Sequence, residues 1–330
     1  MDDVLSESEL IERLLRAVPT TGPDLLVGPG DDGAVVEGGA ARAVSVDTIV
    51  DGVHFRRADG DPRAVGHKAL GQALSDLAAM GGAAGQAYVA LGVPPDLGPD
   101  EAQAMFEGLG AVARETGTAI AGGDVVACPV LWLAVTVSGS LGPRGAVLRS
   151  GARPGQVVAV TGELGGAAAG LALADGGDLD PGLAHPLLDR QRRPQPRLAA
   201  GRALADAGAR ALMDISDGLG IDAGRLAEAS QAGVEIDLDR VPVHAGVAEV
   251  ALLSDIDAAD LVLGGEDYEL LCCLDAGTVD AAREAVEATG TTLTTIGTIT
   301  PGAGVRLLSG GVVRPDAGGY EHLAPGRRRP

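Results

Sequence analysis

Leu10, Ile11, Leu14, Leu15 and Val18 recur at the spacing of one helical face, and Ser6 with Glu9 forms a capping box ahead of them. The pattern predicts a short amphipathic helix over 6–18. Residues 44–46 predict a buried strand ending at Asp47. Residues 64–80 predict a helix stopped by Gly81-Gly82; Ala102, Met105, Phe106, Leu109 and Val112 mark another, ended by Gly117. A strand over 118–121, a turn at Gly122-Gly123-Asp124 and a strand-like run over 130–137 follow. Beyond a Gly-, Arg- and Pro-rich stretch at 142–155 the pattern begins again. It predicts a strand over 157–160, a Gly/Ala-rich helix from about Gly165, a loop holding Pro181, Pro186, Pro194 and Pro196, and a helix near 197–207. A strand near 234–238, a helix near 280–289 and strands near 292–299 complete it. Strands and helices alternate in both halves, so the class is α/β or α+β. The stretch at 142–155 is the expected junction, giving domains over 1–145 and 146–330.

Composition sharpens this picture in three ways. A chain of 330 residues is long for one core, and its 46% apolar content can fill two. With 51 glycines and only 2% aromatics, those cores must rely on close backbone packing. The formal charge of −21 argues against nucleic acid and anionic membrane surfaces, which both require a basic footprint. Lys68, in Gly66-His67-Lys68-Ala69, is the only lysine in the chain, so there is no P-loop. Cys128, Cys272 and Cys273 have neither metal-ligand spacing nor the makings of a disulfide framework, which fits a reducing cytoplasm. Met1-Asp2-Asp3-Val4 lacks the character of a signal peptide, and no apolar run has the length of a membrane span.

Six short acidic motifs carry the candidate chemistry: Gly30-Asp31-Asp32, Val46-Asp47-Thr48, Ser75-Asp76, Gly123-Asp124, Asp214-Ile215-Ser216-Asp217 and Gly265-Glu266-Asp267. Each alone also reads as a turn, a strand end or a helix cap. Asp76 resists that reading. It lies late in a predicted helix, on a face shared with Gln72 and Lys68, where the helix dipole disfavours an anion by about 0.3–1 kcal/mol. With Ser216 or Asp217 as the cap of the helix that follows, exposed amides would be ready for phosphate, and Asp214 and Asp217 could reach a metal. Carboxylates gathered at the ends of buried elements repel one another unless cations lie between them, and Mg²⁺ prefers such oxygen ligands. An acidic pocket without a P-loop lysine would bind a polyphosphate through such ions.

These motifs resemble the thiamine-monophosphate kinases, a branch of the aminoimidazole-ribonucleotide synthetase superfamily. The likeness runs through Ser45-Val46-Asp47-Thr48 with His54-Phe55, Lys68-Ala69-Leu70 to Met80-Gly81, Gly122-Gly123-Asp124, Arg149-Ser150-Gly151-Ala152, Arg193-Pro194, Asp214 to Leu219 and Gly264 to Leu270. His54-Phe55, the Gly-Gly-Glu-Asp-Tyr-Glu-Leu run and Gly319-Tyr320-Glu321-His322 point to the thiamine branch. The resemblance implies a two-domain α/β fold whose N-terminal sheet domain forms a homodimer, and transfer of the ATP γ-phosphate to thiamine monophosphate. It implies Asp32, Ser45, Asp47, Asp76, Asp124, Asp214 and Asp217 as magnesium ligands. Gly123, Asp124, Arg149 and Ser216 would hold ATP, while His54, Glu266 and Tyr320 would face the substrate. Asp47, Asp124, Asp217 and Arg149 would carry catalysis. Pro29, Val46, Ala73 and Thr116 depart from the family pattern, Ala73 standing where an asparagine is common. The competing readings are another ATP-using enzyme of the superfamily and a relative that binds metal or nucleotide without turnover. A selenophosphate-forming enzyme would need an N-terminal reactive cysteine, and the first here is Cys128.

Overall fold

A computed structural model describes residues 25–27, 31–32, 34–37, 39, 41–177, 179–314 and 318–319. The helix predicted over 6–18 and the segment with Tyr320 lie outside them. The first sheet contains β1 (Leu25–Val27), β2 (Ala34–Val36), β3 (Arg42–Val50), β4 (Gln86–Val93), β5 (Ala119–Ala127) and β6 (Trp132–Ser140), in the order β1-β2-β3-β6-β4-β5. Only β4 and β5 pair in parallel. Alternate residues Ala87, Val89 and Leu91 of β4 and Leu133, Val135 and Val137 of β6 pack beneath α1 (Pro62–Ala79) and α2 (Pro99–Thr116). Asp61 caps α1 by accepting from the Ala64 amide at 3.1 Å, Pro62 opens it, and Gly81, at φ 69°, lets the chain turn away.

The second sheet contains β7 (Val157–Thr161), β8 (Ala211–Asp214), β9 (Gly233–Asp237), β10 (Leu270–Leu274), β11 (Leu293–Thr300), β12 (Gly304–Ser309) and β13 (Val312–Arg314), in the order β13-β12-β9-β11-β7-β10-β8. Its two faces are both covered. One packs on α3 (Gly166–Ala174), α4 (Pro181–Arg192), α6 (Leu219–Ser230), α7 (Val247–Ser254) and α8 (Ala258–Val262). The other packs on α5 (Leu198–Ala207) and α9 (Val279–Glu287), and also receives Ala78 and Ala79 from the end of α1. Cys272 and Cys273, adjacent on β10, therefore face opposite cores.

Helix α1 is thus wedged between the two sheets, with 14 of its 18 residues buried. Glycines make the close approach possible. A methyl group at Gly66 would overlap the Met105 carbonyl of α2, one at Gly108 the Arg63 carbonyl of α1, and one at Gly201 of α5 the Ala78 carbonyl.

Several elements differ from the sequence reading. β3 does not stop at Asp47 but runs on to Val50, because its nine residues all pair with β6. Asp47 is consequently mid-strand and shares a face with Ser45, while Val46 points to the exposed side. Gly122-Gly123-Asp124 is not a turn. It is strand, and glycine at 123 is needed because any side chain there would run into the Val89 carbonyl of β4. The stretch holding Pro181 and Pro186 is helix α4, since Pro181 takes its first position and Asp180 accepts from the Gly182 amide at 2.9 Å.

Gly66→Ala and Gly108→Ala are each expected to cost about 1–3 kcal/mol by forcing α1 and α2 apart. Urea unfolding of the two variants against the parent measures this, and an unchanged midpoint would contradict the packing described.

Candidate active site

A helix buried between two sheets would ordinarily be apolar all round, but α1 carries Lys68, Gln72, Ser75 and Asp76 along one stripe, and each reaches a polar group on another element. Lys68, 2% exposed, places its Nζ 3.0 Å from Oε1 of Glu266. The Gln72 amide donates to Oδ2 of Asp47 at 2.7 Å and accepts from the Tyr268 hydroxyl at 3.3 Å. Ser75 donates to Oδ2 of Asp214 at 2.6 Å, and Asp76 accepts from the Ser45 hydroxyl.

At the foot of this stripe, one carboxylate oxygen each from Asp32, Asp76 and Asp214 lie within 4.8 Å of one another. Burial and mutual repulsion push the Asp32 and Asp76 carboxyls well above the usual range, and burial takes Asp214 to about 6 despite the Ser75 hydrogen bond. Arg149, on the connection between the sheets, pairs with Asp32, and its amide donates to Asp31 at 3.2 Å. Oδ2 of Asp32 is buried and accepts no hydrogen bond among the described residues. An orphaned anionic oxygen beside two more carboxylates is the donor set a hard divalent cation takes.

The loop from Asp214 to Gly218 runs from β8 into α6. Its amides are not open to a phosphate, as the sequence had suggested. The cap of α6 is Gly218, at φ 121°, and the amides of Ser216, Asp217 and Gly218 all donate at 3.0 Å to Oδ2 of the fully buried Asp222. Burial raises Asp222 to about 7, and Arg225 ties its other oxygen at 2.8 Å and Asp217 at 2.5 Å. The loop 264–269 lies directly over this turn. Glu266 donates its amide to the Ser216 carbonyl at 2.8 Å, and Tyr268 to that of Ile215 at 2.9 Å. Both residues take positive φ, 74° and 51°, a conformation that costs side-chain-bearing residues energy and that this pairing holds in place.

The three acidic residues of that loop do different things. Glu266 faces Lys68. Asp267 caps α3, accepting from the Gly165 and Ala167 amides at 2.8 and 3.0 Å. Glu269, fully buried, takes Arg197 on both oxygens at 2.9 and 2.5 Å, Arg190 at 3.4 Å and the Thr161 hydroxyl at 2.7 Å. The arginines at 190–197 are therefore not a solvated helix face. Two anchor a buried carboxylate, and Arg193 crosses to Asp61 at the start of α1.

Asp32, Ser45, Asp76, Asp214 and Arg149 thus come together, with Asp47 joined through Gln72 and Asp217 through its loop. His54 follows β3, its Nδ1 accepting from the Val50 amide at 3.1 Å. Phe55 beside it lines one narrow crevice together with Lys68 and Arg192. Asp124 and Gly123 stand apart on β5, with β6 and β4 between them and the strand of Asp47. Tyr320 is outside the described residues, but a methyl at the preceding Gly319 would sit 2.7 Å from the Asp217 carbonyl oxygen. Asp222, Tyr268 and the Glu269–Arg197 pair were not singled out from sequence. A signal was present for Asp222, which falls one turn inside a helix where it can bend back on the amides ahead of it.

Two mixed sheets sharing one helix, with an acidic centre at their junction, define the class. Residues 30–141 match the family model described as AIR synthase related protein, N-terminal domain, and residues 153–309 the corresponding C-terminal domain. A thiamine-monophosphate kinase of Mycobacterium tuberculosis is 41% identical over 82% of this chain and 80% of its own length. One from Methanopyrus kandleri is 40% identical over 92% of each. The solved structure of AaThiL complexed with AMPPCP and TMP superposes with a TM-score of 0.83 at 28% identity, covering 96% of this chain and 97% of that one. The chain belongs to the thiamine-monophosphate kinase family.

Burial moves the Asp267 carboxyl from its ordinary 3.8 to about 7, against the pull of two amide hydrogen bonds. A raised acid stabilises the fold in full below its unfolded value, and that contribution is lost as pH rises through the folded one. The melting-temperature difference between the parent and Asp267→Asn should therefore change against the parent between about pH 4 and 7. A flat difference across this window would contradict the assignment.

Proposed function

We propose that this protein transfers the γ-phosphate of ATP to thiamine monophosphate, yielding thiamine diphosphate and ADP. The observation that carries the proposal furthest is the junction of Asp32, Asp76 and Asp214, with one oxygen of each within 4.8 Å, where Asp32 also has a buried oxygen that accepts no hydrogen bond among the described residues, in a chain of this family. Asp32, Ser45, Asp47, Asp76, Asp214 and Asp217 would hold Mg²⁺, which the all-oxygen donor set fits. Bound there, Mg²⁺ supplies charge neutralisation for the phosphates of both substrates. Asp124 is the seventh ligand proposed.

ATP is held by Gly123, Asp124, Arg149 and Ser216; the amide of Ser216 is committed to Asp222, so its contribution is the hydroxyl. His54, Glu266 and Tyr320 face the thiamine moiety. The attacking oxygen belongs to a phosphate whose second pKa is about 6, already ionised at neutral pH. No side chain need remove a proton. What the protein contributes is alignment of the two phosphates and an arginine, Arg149, near the transferring group, so transfer is direct and in line.

Two domains divided near residue 145, in a cytoplasmic homodimer, complete the proposal. The β5 edge supports the pairing. All nine of its residues are exposed, Val125 and Val126 among them, and an apolar strand whose outer edge has no partner among the described residues invites a second copy. Asp124 would then lie at the interface.

Incubation with ATP, Mg²⁺ and thiamine monophosphate should give thiamine diphosphate, and an aminoimidazole precursor should give no product; the reverse result would move the chain to a sister activity. Asp47→Asn and Asp217→Asn should each lower turnover by two orders of magnitude or more with the fold intact, and near-normal rates would remove both from the site. Val125→Glu should yield a monomer by light scattering, whereas an unchanged mass would place any interface elsewhere.

A further inference from the structure

We infer that Gln72 is a positioning residue for Asp47, and that Tyr268 anchors it from the second half of the molecule. The inference rests on the proposed role of Asp47 as a metal-binding carboxylate. Asp47 is held at both oxygens: Oδ1 accepts from the Thr48 amide at 2.8 Å and Oδ2 from the Gln72 side chain at 2.7 Å. The first bond belongs to its own strand and adjusts with it. The second comes from α1, and it fixes how the carboxylate faces Asp76, one turn further along the same helix.

A carboxylate only accepts, so the Gln72 NH2 must face Asp47, and its carbonyl oxygen must face the other way. There the Tyr268 hydroxyl donates to it at 3.3 Å, both side chains being buried. Tyr268 is itself fixed by the hydrogen bond that its backbone amide donates to the carbonyl of Ile215, the residue after Asp214. A path of hydrogen bonds thus joins the Asp214 loop to Asp47 through one phenol and one amide. Losing the amide would leave Asp47 free to turn; losing the phenol would leave the Gln72 carbonyl buried without a donor and loosen its hold.

The test measures metal binding rather than turnover. Free Mn²⁺ is counted by electron paramagnetic resonance during titration of the full chain with a non-hydrolysable ATP analogue present. The parent is compared with Gln72→Met, Tyr268→Phe, the double variant and Asp47→Asn. Gln72→Met should weaken Mn²⁺ binding by about tenfold or more, the range seen when partners of metal ligands are removed. Tyr268→Phe should weaken it less, and the double variant should be no worse than Gln72→Met, because the phenol acts only through the amide. Melting temperatures in chelator separate this from loss of fold, and Tyr268→Phe, which keeps the ring, carries the test if Gln72→Met does not fold. The inference is overturned if Asp47→Asn weakens Mn²⁺ binding and Gln72→Met does not, or if the two single effects multiply. If Asp47→Asn leaves the affinity unchanged, the role of Asp47 itself falls, and the inference with it.

Discussion

Three carboxylates held within 4.8 Å in a buried site are the constraint on which the rest of this structure depends. They come from a segment before β2, from α1 and from the end of β8, so both sheets must converge on one point. Nothing in their own chemistry draws them together. Burial and repulsion both disfavour their ionised forms, as the raised Asp32, Asp76 and Asp214 carboxyls show. The convergence is imposed by packing elsewhere, and the energy for it comes from the apolar cores on either side.

Helix α1 transmits that packing. Its leucines at 70, 74 and 77 are buried against the first sheet, and Ala78 and Ala79 against the second, so its position is set from both directions. Glycines at 66, 108 and 201 bring its neighbours to backbone contact, which is why a chain so poor in aromatics can still hold a helix rigidly. Rigid placement lets one stripe of four polar side chains serve five partners on β3, β8 and the loop 264–269. Each of these groups is satisfied or charge-paired, the condition under which a buried polar network specifies geometry instead of disrupting it.

Much of this was legible in the sequence, for identifiable reasons. The C-terminal ends of α1 and α2 follow from Gly81 and Gly117, residues whose backbone preferences are local. Asp76 stood out because its cost near a helix C-terminus is also local. The errors share one physical origin. β3 looked as though it ended at Asp47, and 122–124 looked like a turn, because strand pairing that overrides a polar or glycine residue comes from distant partners, β6 and β4. The anchoring of Arg190 and Arg197 has the same character, since their buried partner, Glu269, lies more than seventy residues away.

The Asp222 clamp shows the same limit from the side of function. A helix start beside paired aspartates suggests an anion site, since free amides there favour a phosphate. Here the chain supplies its own anion, and three amides converge on one carboxylate oxygen. That arrangement removes the loop as a phosphate cradle and makes it a rigid mount for Asp214 and Asp217, with Arg225 bridging Asp217 to the clamp. A similar substitution of one polar group for another is visible on α1. Ala73 lacks the amide that the family resemblance leads one to expect, and Gln72, one residue earlier, extends its own amide to Asp47. In both places the carboxylates are held by groups whose side-chain reach, and not their place in a motif, decides what they do.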